Sequence, residues 1–205
     1  MSDRPKCIDI SHYQGYPDFQ TVADAGVVAM IHKATQGVGY VDPYRAKNCS
    51  NAIKAGIKIA TYHWLSHERD PKLQMDHYIK TIDPVPGERM VIDYEENGCT
   101  LDELTQAVQA LLDDQRKFQI TVYSGHLLKE QLGSRRNSFL AENTDLWIAQ
   151  YTNRNSPTWP SRTYPEWKLW QYLDTGHVDG VPGKSVDLNR YNGSDDELLK
   201  WISPK

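Results

Sequence analysis

Three apolar runs in this sequence pass through an aspartate that follows a β-branched residue: Ile8-Asp9-Ile10, Ile92-Asp93-Tyr94 and Val186-Asp187-Leu188. Each reads as the end of a parallel strand. A carboxylate there points into the mouth of an α/β barrel, where catalytic groups collect. Glu95 stands two residues beyond Asp93. Side chains alternate along a strand, so the two acids lie on one face with Cα atoms about 6 to 7 Å apart. Close carboxylates resist double ionisation, and one keeps its proton near neutral pH. A protonated acid beside a charged partner is the arrangement that cleaves glycosidic bonds. An aspartate after a strand also commonly caps a helix or makes a turn. Asp42, Asp83 and Asp179 fit that description, because Pro43, Pro84 and Gly180 follow them.

The elements that must position these acids alternate in type. Strands are expected at Cys7 to Ile10, Val27 to Lys33, Lys58 to Trp64, Met90 to Glu95 and Ile120 to Ser124. Helical periodicity marks Phe19 to Ala25, Asp42 to Ala55, Pro71 to Thr81, Leu101 to Arg116 and His126 to Gln131. The stripe Leu101, Leu104, Val108, Leu111 and Leu112 is the clearest, with Thr100 as N-cap before Glu103. Beyond residue 132 the strands Leu146 to Tyr151, Lys168 to Tyr172 and Ser185 to Asn189 are separated by Pro- and Gly-rich segments that read as loops. A closing helix is expected over Asp195 to Ile202, capped by Ser194. The pattern is an α/β fold, five strand-helix units followed by three strands joined by loops. At 205 residues the chain is at the lower limit for an eight-stranded α/β barrel, and the shortening lies in the late helices.

Composition narrows the function classes. With 23 basic and 27 acidic residues the net charge is −4, which gives no broad positive field for nucleic acid. The longest apolar run, Ala25 to Ile31, is far below the roughly 20 residues of a membrane span. Cys7, Cys49 and Cys99 form no C-x-x-C pair and read as reduced, mostly buried thiols. The aromatics comprise 12 Tyr and 6 Trp against 3 Phe, rings suited to wet clefts as well as to a core rim. No internal repeat or composition break marks a second domain.

The motifs CIDISHYQG, VIDYE, WIAQY, LWQY and VDLNRYNG, spread over residues 7 to 193, resemble glycoside hydrolase family 25, the lysozymes that cleave the muramic acid linkage of peptidoglycan. The resemblance implies an irregular TIM-like barrel of eight strands and about five helices, (β/α)5(β)3. Residues 1–205 would form one catalytic domain without a separate wall-binding module. By the same resemblance Glu95 matches the general acid, and Asp93, Asp9 and Asp187 the acids around it. Lys33, Tyr62, Tyr123 and Gln150 match positions lining the cleft. Trp64 and Trp170 either stack on sugars or fill the barrel, and Trp147 is assigned to the core. A carboxylate beside Glu95 could stabilise positive charge at the anomeric carbon, orient a 2-acetamido group or activate water, and spacing alone does not separate these roles. Substrate assistance with retention is the favoured route.

The implied function is hydrolysis of the β-1,4 bond between N-acetylmuramic acid and N-acetylglucosamine, by a monomer acting on peptidoglycan strands without metal or cofactor. Two alternatives belong to other classes. The H-x-x-x-H pair His63 and His67 invites a zinc-dependent polysaccharide deacetylase, although His63 on a strand points away from Tyr62. A catalytically idle glycan-binding barrel is the second, and the full set of four acids disfavours it. The N-terminus MSDRPKC lacks the apolar stretch of an export signal. That suits a phage endolysin made in the host cytoplasm and released to the wall, with a secreted enzyme whose signal was removed as the competitor.

Overall fold

The computed structural model describes residues 6–159, 162–183 and 185–205. Eight strands close a barrel: β1 (Cys7–Ile10), β2 (Ala29–Gln36), β4 (Lys58–Trp64), β5 (Arg89–Asp93), β6 (Gln119–Ser124), β7 (Asp145–Ala149), β8 (Leu169–Gly176) and β9 (Val186–Tyr191). A ninth, β3 (Tyr40–Val41), folds back on the end of β2 as a two-residue ribbon. Pairing is parallel from β1 through β2 and β4 to β8. The last strand, β9, is antiparallel to both β8 and β1 and closes the ring. This corrects the placement of Asp187 at the C-terminal end of a parallel strand. A loop too short for a crossover turns the chain between β8 and β9, so β9 runs backwards and Asp187, near its start, still reaches the barrel mouth.

Helices fill the first five connections. They are α1 (Phe19–Asp24), α2 (Arg45–Lys54), α3 (Pro71–Ile82), α4 (Leu101–Leu112) and the pair α5 (His126–Leu132) and α6 (Ser138–Asn143). With α7 (Asp195–Ile202) they number seven among the described residues, against the five or so implied by the family pattern plus the closing helix. The unexpected one is α6, a single short segment started by Asn137, whose side chain accepts from the Leu140 amide. Its length is below what periodicity can resolve. Asp18, Asp70, Thr100 and Ser194 accept the first free amides of their helices, the last two in reciprocal capping boxes with Glu103 and Glu197. The α4 helix stops four residues earlier than its pattern suggested, before a turn in which Lys117 takes a φ of 57°.

Packing separates into three regions. Helices α3 to α6 bury Met75, Leu104, Leu128 and Leu140 against the outer faces of the middle strands. Helices α1 and α2 cover β1, β2 and β9. Inside the barrel lie Ile31, Ala60, Val91, Tyr123, Trp147 and Leu169, and α7 seals the lower end with Leu198, Trp201 and Ile202. Arg89 at the start of β5 is 1% exposed and fastens that seal. Its guanidinium donates to the Trp201 carbonyl (2.7 Å), Thr121 Oγ1 (2.7 Å), Asp145 Oδ2 (2.9 Å) and Gln119 Oε1 (2.8 Å), and lies 4.0 Å from the Trp201 ring. With the lower end plugged, the upper mouth is left to hold the acids. All three cysteines are free and buried.

Candidate active site

At the upper end of the barrel Asp9, Tyr62, Trp64, Asp93, Glu95, Tyr123, Trp147, Gln171 and Asp187 line a cleft of ≈ 320 Å³. Eight of these residues come from seven strands, and Glu95 stands just beyond β5. The shared alternation of inward positions, rather than any local motif, therefore assembles the cleft.

Asp9 is 6% exposed. Its carboxylate accepts from Gln171 Nε2 (3.2 Å to Oδ1 and 3.0 Å to Oδ2) and Asn189 Nδ2 (2.7 Å). The β1–β9 register sets Asp187 directly opposite, and the two carboxyls share a hydrogen bond. Burial, the charge of Asp9 and that bond push Asp187 up to about 8, so it holds the proton at neutral pH. Burial also raises Asp9, while the bonds from Asn189, Gln171 and Asp187 oppose that rise.

Asp93 is 4% exposed, and its Oδ1 has no hydrogen-bond partner among the described residues. Burial and the neighbouring Glu95 hold its pKa well above the ordinary carboxylate range, although Lys33 pulls the other way. A buried acceptor of this kind is costly unless a donor arrives from outside. Glu95 stands exposed at the mouth, where lost hydration inside the cleft and the charge of Asp9 raise its pKa. Lys33 on β2 is buried, donates to Gln36 Oε1 (2.8 Å) and rests 4.9 Å over the Trp64 ring. Burial lowers the Lys33 pKa, and the negative charges of Asp93, Asp42 and Glu95 resist that fall. Tyr62 and Tyr123 are held as neutral phenols, chiefly by burial and then by the surrounding acids.

The structure brings Asp9, Asp93, Glu95, Asp187, Tyr62 and Tyr123 together, with Lys33 alongside. Gln150 is not among them. It follows β7 with the parity of Leu146 and Ile148, which face the outer helices, whereas Trp147 faces inward. A one-residue difference in parity reverses the face. The Gln150 amide instead binds the next loop, accepting from the Thr158 amide (2.7 Å) and donating to Thr158 Oγ1 (3.0 Å). Gln171 of β8 is the amide that points into the cleft. It and Asn189 were missed, yet Asn189 shares parity with the recognised Asp187, and Gln171 shares parity with Leu169, which the structure places inside the barrel. Trp64 lines the cleft, with Nε1 donating to Glu96 Oε2 (2.8 Å). Trp147 is buried in the barrel with one edge on the cleft, and Trp170 packs outside it.

The two histidines do not converge. His63 is fully buried between Thr35 Oγ1 (2.7 Å from Nδ1) and Gln74 Oε1 (3.2 Å from Nε2), with both ring nitrogens engaged. His67 Nδ1 turns to Glu103 at 3.2 Å. Asp42, read as a turn aspartate, does accept from the Tyr44 amide, and its second oxygen also accepts from the His12 amide at 2.9 Å.

Acids gathered at the upper mouth of a (β/α)5β3 barrel, one open to solvent, one partly exposed and two buried, define a glycoside hydrolase. The model of the glycosyl hydrolases family 25 matches residues 8–181, and the chain belongs to that family, the one its sequence motifs resemble. The uncharacterized protein YegX of Escherichia coli O157:H7 is 32% identical over 207 residues, covering 95% of this chain and 72% of the relative. Lysozyme M1 of Streptomyces globisporus is 30% identical over 210 residues, covering 94% and 69%. The crystal structure of a bacterial lysozyme from Streptomyces coelicolor matches with a TM-score of 0.84 and 27% identity over 98% of both chains. Among the described residues no helix is long and apolar enough to cross a membrane.

Proposed function

We propose that this chain is a peptidoglycan muramidase that hydrolyses the β-1,4 bond between N-acetylmuramic acid and N-acetylglucosamine, with Glu95 as general acid. The observation that carries the reading is the Asp93 carboxyl, buried on the cleft wall beside Glu95 with one oxygen awaiting a donor. The N–H of a 2-acetamido group is such a donor. Without a donor at that oxygen Asp93 favours its neutral form, and an incoming N–H favours the ionised one. As the acetamido oxygen attacks C1, positive charge spreads onto that nitrogen and its bond to Asp93 strengthens. The interaction therefore grows toward the transition state, which is what accelerates a reaction.

Glu95 delivers its proton to the glycosidic oxygen as the C1–O bond breaks. Its carboxylate then takes a proton from the water that opens the cyclic intermediate, with retention at C1. Asp9, with Asp187 holding the proton of that pair, biases Glu95 toward its protonated form before the first step. Lys33, Tyr62 and Tyr123 offer one cation and two hydroxyls to the sugar. The reaction uses these side chains without metal or cofactor, in a monomer. Its biological setting, on this reading, is a phage endolysin folded in the reducing host cytoplasm, which the three free thiols support. The test is the chemistry of the new chain ends. Purified sacculi digested with the protein, reduced with borohydride and examined by mass spectrometry should carry reduced muramic acid. Reduced glucosamine ends, or acetate release without new ends, would overturn the assignment.

A further inference from the structure

The groups behind Asp9 form a second layer whose orientation is dictated by hydrogen bonding. The Gln171 Oε1 accepts from Tyr123 Oη (2.9 Å) and from Tyr151 Oη (2.7 Å). The Asn189 Oδ1 accepts from Trp147 Nε1 (2.8 Å). An indole N–H only donates, so the Trp147 contact fixes the Asn189 oxygen; the two phenols, held neutral chiefly by burial, each keep a hydrogen to give the Gln171 oxygen while that amide's NH₂ serves the Asp9 carboxylate. Each amide must then turn its NH₂ outward. Both NH₂ groups meet Asp9, at 3.0 Å and 2.7 Å from Oδ2. With the opposite amide orientation, both amide oxygens would face the carboxylate and the Asn189 hydrogens would face the indole N–H.

We propose that Gln171 and Asn189 are positioning residues that make Asp9 the ionised member of the Asp9–Asp187 pair, and that Tyr123, Tyr151 and Trp147 lock the two amides in the required orientation. A proton on Asp9 Oδ2 would have to displace one of two N–H donors. On Asp187, which has no such double donor set among the described residues, the proton can instead be given to Asp9. The charge is thus fixed on β1, where it acts on Glu95. Glu95 is faced by Asp9 of β1, Lys33 of β2, Tyr62 of β4, Asp93 of β5, Tyr123 of β6, Tyr151 after β7 and Asp187 of β9. Among these, Asp9 is the negative group whose charge keeps the Glu95 proton in place. The catalytic consequence rests on the reading of Glu95 as general acid; the charge placement itself does not.

The test follows the Glu95 and Asp9 carboxyl carbons by NMR in protein labelled at Glu and Asp side-chain carboxyls, beside the pH profile of kcat. Asn189→Leu removes one donor to Asp9, whose pKa should rise. With less negative charge opposite it, Glu95 should titrate about one pH unit lower, and the basic limb of kcat should move down with it. Tyr151→Phe removes one of the two donors to the Gln171 oxygen at a half-exposed position that leaves the fold intact, and should shift Glu95 in the same direction by less. A purely structural role would lower stability and scale kcat equally at every pH. Unchanged Glu95 and Asp9 titrations in folded Asn189→Leu or Tyr151→Phe protein would overturn the proposal. Titrations that shift while Glu95→Gln retains full activity would uphold the charge placement and discard the general-acid reading instead.

Discussion

The raised pKa of Asp187 makes the site a pH-dependent weakness, and Asp187→Asn should remove it. The native state binds this proton more tightly than the unfolded chain does. The resulting stability is fully present below the unfolded value near 4 and has gone above the folded value of about 8. Lifting a carboxyl across that range is worth at most ~6 kcal/mol. Asp187 retains partial solvent contact. Screening and relaxation therefore leave an expected ~2–3 kcal/mol. Asparagine keeps an N–H that can donate to Asp9, so the variant imitates the protonated form at every pH. Urea unfolding at about pH 4.5 and pH 8.5, extrapolated to water, measures the difference. Wild-type stability should fall over this range by ~2–3 kcal/mol more than that of the variant, the other acids contributing a common background. Parallel curves for the two proteins would refute the assignment of the shared proton to Asp187.

Asp93→Asn should lower kcat by at least about 10²-fold, because the neutral amide cannot oppose charge on the acetamido nitrogen. The same variant should unfold at equal or higher temperature than wild type, since it removes a carboxyl whose ionisation is costly where it is buried; full activity would deny Asp93 its role. Gln150→Ala should leave kcat and KM within about twofold of wild type, measured on the same cell-wall substrate, because its amide serves a loop outside the cleft. Arg89→Met should destabilise the fold by about 1–3 kcal/mol in denaturant titration, through the Trp201 carbonyl, Thr121 and Gln119 acceptors it deprives of a donor, while Asp145 keeps the Trp201 indole. Its kcat under folding conditions should be unchanged.

Much of the fold was legible because local signals agreed. β-Branched runs, caps such as Thr100 with Glu103, and Pro-rich linkers each pointed to five strand-helix units and three further strands. Glu95 and its aspartates were legible for the same reason: inward parity follows directly from strand spacing. What failed were features set by register and handedness across the barrel. The direction of β9 is decided by its pairing with β1 and β8, which no local pattern of Val186 to Tyr191 encodes. Gln150 was placed inside by its motif, although its parity with Ile148 already sent it out, and the same counting would have found Gln171 and Asn189. The β2–β3 ribbon and α6 are too short for periodicity to register.

The most direct measurement is the rate at which Glu95→Gln protein releases reducing ends from purified peptidoglycan, at matched folded concentration confirmed by circular dichroism. Glutamine keeps the shape of the side chain and cannot supply the proton. Loss of at least about 10²-fold in kcat, with binding to the same strands retained, is the predicted result. Activity within a few fold of wild type would contradict the assignment of Glu95 as the acid that breaks the glycosidic bond.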